Sequence, residues 1–450
     1  MAIRNALIKQ VDEQLNNGVD GETIKKFTEE LHPAIIADRL ENLEPGKIYT
    51  ILQHLDFEIK ADIFSHLDKN VSRDLSEFYD DDELADIFEF MPHDDRVDLF
   101  RVIPEERRNS LLRHIEPEER EDIIKLSSYP EGTAGALMTS DFVRIFEEMT
   151  VKEALNKIRK VARYRETIYI AYVVDQQNKL LGIVSLKDLI MFDSKSIIRD
   201  VMFTEIITVK VDDEREIVAS RLSEYDLIAI PVTDERDRLV GIVTFDDALD
   251  VAEEEATEDF HKTAGLTPLE RTYRDTSIFE LFQKRIGWLM ILVFVSLMSS
   301  GVIAAFEETL ESAIALAFFI PLLIGSAGNA GAQAATLMVR ALATDDVYLS
   351  GWLNTTGREL LVGVMLGLVM GAACWVLGMF FGGAEIAIIV GLTMVSIILL
   401  ANIIGTLLPF ILTFFNMDPA VASSPLIATI MDATGLLIYF WIAILVLGSF

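Results

Sequence analysis

The chain has 450 residues, room for two or three domains, with 71 acidic side chains against 39 basic ones and a formal charge of −32. The excess is uneven: 62 acids and 35 bases precede Lys284, and 9 acids and 4 bases follow from Lys284 onward, leaving −27 in the first part and −5 in the second. So acidic a segment repels nucleic acid and attracts cations, although a plain solvated surface has the same balance, and the single cysteine, Cys374, excludes an internal disulfide.

The N-terminus is polar, with no apolar core ahead of a cleavage site, so the first part is expected to stay in the cytoplasm. From about residue 31 to 128 the sequence repeats every twelve residues. An apolar–apolar–x–x–apolar unit appears as Ile51-Leu52…Leu55, Ile63-Phe64…Leu67, Ile87-Phe88…Met91, Leu99-Phe100…Ile103 and Leu111-Leu112…Ile115. Turn and cap residues follow, among them Pro45, Asp56, Asp68, Pro92, Pro104 and Pro117. Twelve residues suit one short helix and its turn, stacked on the next as a superhelix. The array offers carboxylates (Asp62, Asp80 to Glu83, Asp94, Asp95, Asp98) and no catalytic constellation.

A second repeat covers about 132–250. Tyr172-Val173-Val174-Asp175 pairs with Ile230-Pro231-Val232-Thr233-Asp234, and Leu180-Leu181-Gly182-Ile183-Val184-Ser185 with Leu239-Val240-Gly241-Ile242-Val243-Thr244. Each copy reads as strand, helix, strand, tight turn, strand, helix. This resembles a tandem pair of CBS domains. In that family Ser/Thr-x-x-Asp at the last strand–helix junction holds a nucleotide ribose, which implies Ser185 with Asp188 and Thr244 with Asp247; both spacings equally suit helix caps. Asp250 to Asp259 then forms an acidic stretch of good helix propensity whose like charges repel unless cations relieve them. Gly265 and Pro268 mark a break after it.

Five apolar stretches follow, at about 286–305, 312–339, 358–381, 386–414 and 421–448, each long enough to cross a bilayer. Lys284, Arg285, Arg340 and Arg358 all fall on one side, and the opposite loops carry only Glu307, Glu308, Glu311 and Glu385. This places the acidic part in the cytoplasm and the C-terminus outside. In the second stretch Asn329 and Gln333 lie one turn apart among closely spaced glycines, which suits either pore lining or a tight helix seam. Asp432 lies mid-span with no lysine or arginine at its depth, so its partner is either a passing cation or, when protonated, a neighbouring helix. Pro425 is expected to interrupt the last helix and free carbonyl oxygens.

The order of parts, with Gly328-Asn329-x-Gly331-x-Gln333, Arg340-Ala341-Leu342-Ala343, Asp418-Pro419-Ala420 and Pro425 to Thr429 leading to Asp432-Ala433-Thr434-Gly435, resembles the MgtE family of magnesium channels over essentially the full length. The resemblance implies a multidomain membrane protein. Its parts are an all-α helical-repeat N domain (1–130), α/β CBS domains (131–200 and 201–249), an acidic connecting helix and linker (250–283) and an α-helical transmembrane domain of five spans (284–450). It implies a homodimer in the inner (plasma) membrane that takes up Mg2+ down its gradient and is closed by cytosolic Mg2+. Asp432 then faces the ion, with pore lining at Gly325, Gly328, Asn329, Gln333, Thr336, Ala428 and Gly435. Regulatory ligands carried over by position are Asp62, Asp94, Asp98, Asp226, Asp247, Asp250, Glu255, Glu258, Asp259 and Asp418. ATP is a further cofactor open to this pair, although Leu227 stands where an aromatic is expected beside adenine. Ala332 and Ser424 replace more polar residues of the family's pore. A transporter of cobalt or manganese and a non-conducting cation sensor are the alternatives, and no Walker loop, serine elbow or His/Cys cluster points to an enzyme.

Overall fold

The computed structural model describes residues 21–162, 165–269, 273, 276–344 and 346–448. The chain divides into two compact units, up to Glu253 and from Glu254.

The first unit opens with short helices: α1 Gly21–Glu30, α2 Pro33–Leu40, α3 Pro45–Leu52, α4 Phe57–Ser65, α5 Lys69–Ser76, α6 Asp81–Phe90, α7 His93–Val102, α8 Glu105–Leu111 and α9 Pro117–Ser127. From α2 onward the starts fall every twelve residues. The start chemistry recurs: Pro33, Pro45 and Pro117 occupy first turns, where no N–H is needed. Asp68 and Asp80 accept from the Asn70 and Glu83 amides at 2.8 Å. The apolar repeat lies inside, with Leu52, Ile63, Phe64, Leu84, Phe88 and Ile103 buried, each contributing about 2 kcal/mol by burial. Each helix packs chiefly on the next but one, α2 on α4 and α3 on α5 through α7 on α9, which corrects the expected next-neighbour stack. The short turns send each helix back across the array, so the following helix returns to the first row.

Two three-stranded sheets follow. In the first, β1 (Val143–Phe146) runs parallel to β2 (Ile170–Val174), which is antiparallel to β3 (Leu180–Ser185). In the second, β4 (Val209–Lys210), β5 (Ala229–Thr233) and β6 (Leu239–Thr244) repeat the pattern. Helices α10 (Ala134–Leu137), α11 (Val151–Val161), α12 (Leu186–Met191), α13 (Ile198–Val201) and α14 (Arg215–Glu224) complete the pair. The copies are interlocked. Thr139, ahead of the first copy's strands, exchanges backbone bonds of 2.8 and 3.0 Å with Ile242 of β6, and Phe203 exchanges two of 2.9 Å with Ile183 of β3. The crossing explains the glycine of each copy, since a Cβ on Gly182 would meet Met202 Sδ at 2.7 Å and one on Gly241 would meet Met138 Sδ at 2.5 Å and Thr139 O at 2.9 Å. Gly241→Ala is therefore expected to destabilise this unit by about 1–3 kcal/mol, read as a lower unfolding midpoint of the full chain in detergent; an unchanged midpoint would refute the crowding.

Val97 of α7 and Leu126 of α9 share a core with Met138, Val218 and Ile230, so the helical array and the second sheet copy pack as one body. After β6 comes α15, Phe245–Thr263. The acidic connecting helix expected from residue 250 grows without a break from the last helix of the second copy. It ends in a Schellman motif, with Gly265 N–H on Lys262 O and Leu266 N–H on His261 O, both at 2.8 Å. Gly265 has φ +74° there.

The second unit contains five helices long and apolar enough to cross a membrane: α16 Ile278–Ala305, then, after the short α17 Glu307–Ser312, α18 Ala315–Ala343, α19 Trp352–Phe381, α20 Gly383–Phe414 and α21 Ser424–Leu447. Most begin several residues before the expected stretches, since helices continue past the hydrocarbon layer. Central α20 packs against α18, α19 and α21, and α16 leans on α21. Gly363, Gly367, Gly371 and Gly378 form a buried stripe on α19 that lets α20 approach to backbone contact, as small residues do in membranes. Pro425 lies in the first turn of α21, so it interrupts no ladder, which corrects the expected interruption of the last helix.

Candidate ion pathway and cation-binding sites

The buried face of α18 carries Ala327, Gly328, Ala330, Gly331, Ala334 and Ala335. Gly328 meets Ala428 of α21, where an added Cβ would lie 3.3 Å away. Gly331 is hemmed in by Ile427 and Ala401. These glycines and Ala428 thus lie in the α18–α21 seam. One step round the helix, Asn329, Ala332, Gln333, Thr336 and Leu337 line a groove of about 590 Å³ with Ser424. The small residues thus make a tight helix seam, and the amides lie on the adjacent, grooved face. Of the expected pore residues, Asn329, Gln333 and Thr336 share the groove; Gly325 has open space beside it, and a Cβ added to Gly435 would lie 3.9 Å from Ile397.

Asp432 lies two turns into α21, partly exposed. Among the described residues it has no ion-pair or hydrogen-bond partner. Asn402 of α20 is 3 % exposed, and its Nδ2 has no hydrogen-bond acceptor among the described residues; the apolar run around it hid this amide from sequence reading.

In the first unit, carboxylates converge on the start of α7. Burial, then Asp247, Asp95 and Glu166, pushes the Asp94 carboxyl well above the usual range. Burial, with Asp247 and Asp98 adding, pushes Asp95 up to about 7. Asp247 is pushed up to about 6 by burial, with Asp246 and Asp250 adding. Burial raises Glu166 too, with Asp247 and Asp246 behind it. Oδ1 of Asp94 is buried without a donor among the described residues. A buried acceptor amid like charge fits a hard cation with oxygen ligands, although among the described residues no three such groups close into a ready coordination sphere.

Asp62 is also raised, by burial and Glu58, beside His66 and His32; burial and His32 lower His66, on which Asp250 also acts. Asp98 pairs with Lys69 at 2.9 Å and Arg101 at 3.6 Å. Asp226 lies exposed with φ +52°. Glu166 was not singled out in the sequence, because nothing local marks a loop residue that only tertiary folding brings to Asp94. His93 likewise emerges only in three dimensions, with Nδ1 2.7 Å from Asp122 and 2.6 Å from Ser140 Oγ.

Ser185 Oγ donates to Asp188 Oδ2 at 2.6 Å and accepts from its amide at 3.1 Å, and Thr244 Oγ1 donates to Asp247 Oδ2 at 2.5 Å. Both pairs are closed on themselves, the first as the cap of α12 and the second at the start of α15. In the second unit, Asp259 is raised by burial and by Asp418, with Glu255 and Glu258 adding. Lys262 Nζ lies 2.5 Å from both Glu258 and Asp418.

Five helices apolar enough to cross a membrane, an amide-lined groove and a carboxylate unpartnered among the described residues, on a chain with an acidic pair of sheet copies, fit the class of divalent-cation transport proteins. Residues 320–442 match the MgtE family, described as divalent cation transporters; 31–132 match the MgtE intracellular N domain, and 134–195 and 198–254 each a CBS domain. The chain is 41 % identical to the magnesium transporter MgtE of Thermus thermophilus over 329 residues, 73 % of each chain. It is 39 % identical to that of Enterococcus faecalis over 323 residues, 72 % of this chain and 71 % of the other. The soluble part of a magnesium transporter superposes with a TM-score of 0.51 at 33 % identity, covering 56 % of this chain and 99 % of that one. The cytosolic domain of the Mg2+ channel MgtE, in complex with ATP, gives 0.50 at 34 %, covering 53 % and 97 %. The chain belongs to the MgtE family of magnesium transporters.

Proposed function

We propose that the protein is a channel that admits Mg2+ into the cytoplasm and closes when cytosolic Mg2+ binds its acidic faces. The observation that carries this reading is the carboxylate cluster around Asp94, whose buried acceptor has no donor among the described residues. Inward flow needs no fuel, since a divalent ion gains about 4.6 kcal/mol per 100 mV of inside-negative potential. Magnesium keeps much of its water and asks for few direct ligands, so Asp432 and the amides of Asn329 and Gln333 suffice to guide it hydrated. Two copies, each supplying one groove and one Asp432, would enclose a pore on a two-fold axis. The acidic unit faces the cytoplasm of a plasma membrane and the C-terminus lies outside, as the charged loops direct.

Regulation follows from repulsion. Asp94, Asp247, Asp250 and Asp62 in the first unit, and Glu255, Glu258, Asp259 and Asp418 in the second, attract cytosolic Mg2+, which holds the closed arrangement together; Asp98 and Asp226 contribute less. When Mg2+ falls, the uncompensated charge drives apart the carboxylates within each set. A nucleotide is a second regulator of the CBS pair, at Ser185, Asp188, Thr244 and Asp247, since a relative's cytosolic domain carries ATP. The test is Mg2+ uptake into inside-negative proteoliposomes at low and high internal Mg2+, with Mn2+ and Co2+ as competitors. Uptake suppressed by internal Mg2+ is expected; uptake indifferent to it would overturn the gating, and none in folded protein would overturn conduction.

A further inference from the structure

The last turn of α15 holds a cation of its own. Lys262 Nζ bridges Glu258 Oε1, one turn back, and Asp418 Oδ2, 156 residues further on, each at 2.5 Å. Its backbone is anchored too: the Lys262 carbonyl accepts from Gly265 N–H in the Schellman turn, and a C-terminal turn favours positive charge. On the other side, Asp418 Oδ1 accepts from the Ala420 amide at 2.8 Å. It thereby caps the short helix Pro419–Val421 that leads into α21 and Asp432.

We propose that the Lys262 ammonium is a tethered monovalent cation occupying the seat for which cytosolic Mg2+ competes at Glu258, Asp259 and Asp418, so that Lys262 sets the Mg2+ concentration at which this joint responds. The inference rests on the regulatory reading above. One ammonium neutralises one of three carboxylates, so the seat keeps the charge to draw a divalent ion. Mg2+ must then displace or push aside a charge bound to the same helix, whose local concentration never falls. The ion therefore binds more weakly than three carboxylates alone would bind it, and the joint keeps part of its cohesion when magnesium is absent.

Lys262→Gln in the full chain tests this in two arms. In proteoliposomes, the internal Mg2+ that halves uptake should fall about tenfold, with Lys262→Arg staying near the parent and Lys152→Gln, an exposed lysine of α11, reporting the effect of net charge alone. In detergent, Mn2+ titration followed by electron paramagnetic resonance should show one site about tenfold tighter in Lys262→Gln. Half-closure and Mn2+ affinity both equal to the parent, or moved as far by Lys152→Gln, would overturn the proposal. If the parent's uptake ignores internal Mg2+, the gating reading fails, and the Mn2+ arm alone then decides whether Lys262 competes for the site.

Discussion

Asp432→Ala is expected to abolish Mg2+ uptake into inside-negative proteoliposomes while leaving the protein folded. The carboxylate makes no ion pair or hydrogen bond among the described residues and lies partly exposed, so its removal breaks no contact that holds α21. What it removes is attraction: at 4 Å and an effective dielectric of 20, a divalent ion and a carboxylate interact by about 8 kcal/mol before hydration is counted. If only 2–3 kcal/mol survives dehydration, flux falls roughly 30- to 150-fold. Asp432→Asn, equal in shape, should fail nearly as badly, which separates charge from packing. Uptake equal to the parent in both variants would place the pathway elsewhere.

The second large effect is expected at the start of α7. Asp94→Asn combined with Asp247→Asn removes two of the like charges that crowd there. Without divalent ions the double variant should be more stable than the parent, because the repulsion is gone. It should also need more than about ten times the internal Mg2+ to halve uptake. Closure at the parent's concentration would show that the controlling ion binds elsewhere. A pH dependence follows from the same groups. Their folded-state values lie above the ordinary carboxylate range, so they bind protons more tightly folded than unfolded. The stability this supplies is present at low pH and is lost as pH rises through the folded values of about 6 for Asp247 and about 7 for the neighbouring Asp95, with Asp94 also held well above the ordinary range. The Mg2+-free chain should therefore melt roughly 5 °C higher at a pH near 5.5 than near 8. Saturating Mg2+, which releases those protons on binding, should flatten the difference; a Mg2+-free melting point that instead rises with pH would contradict the cluster.

The parts of this molecule legible in its sequence are those written in local periods. The twelve-residue recurrence foretells each helix start of the array, because every start depends on a cap or proline within a few residues. The paired Leu-x-Gly-Ile-Val segments foretell both sheets for the same reason, and mean apolarity alone finds the spans. Contacts across long stretches of chain were hidden. Nothing near Glu166 announces Asp94, and although Lys262 follows Glu258 at helical spacing, its partner Asp418 lies in another loop. The glycine stripe of α19 faces a surface that only packing supplies, and proline chemistry alone does not say whether Pro425 stands inside a helix or at its start. For the candidate sites, residue type pointed to cations, whereas the grouping of Asn329, Gln333 and Thr336 on one groove depended on which face of α18 turned inward.

The interlocked sheets also constrain the order in which the nascent chain acquires its structure. Helices α2 to α9 make contacts close in sequence and can form as they leave the ribosome. Thr139 must wait for Ile242, about a hundred residues of synthesis later. Contacts that distant are slow to close, and at a synthesis rate of about 5–20 residues per second the wait lasts roughly 5–20 s. During it, the buried faces of β2 and β3 lack their cover, and α16 begins 36 residues after Ile242. The module is thus completed only shortly before the first span follows it out, and a stall during the wait would leave an open apolar sheet exposed with no later segment to cover it.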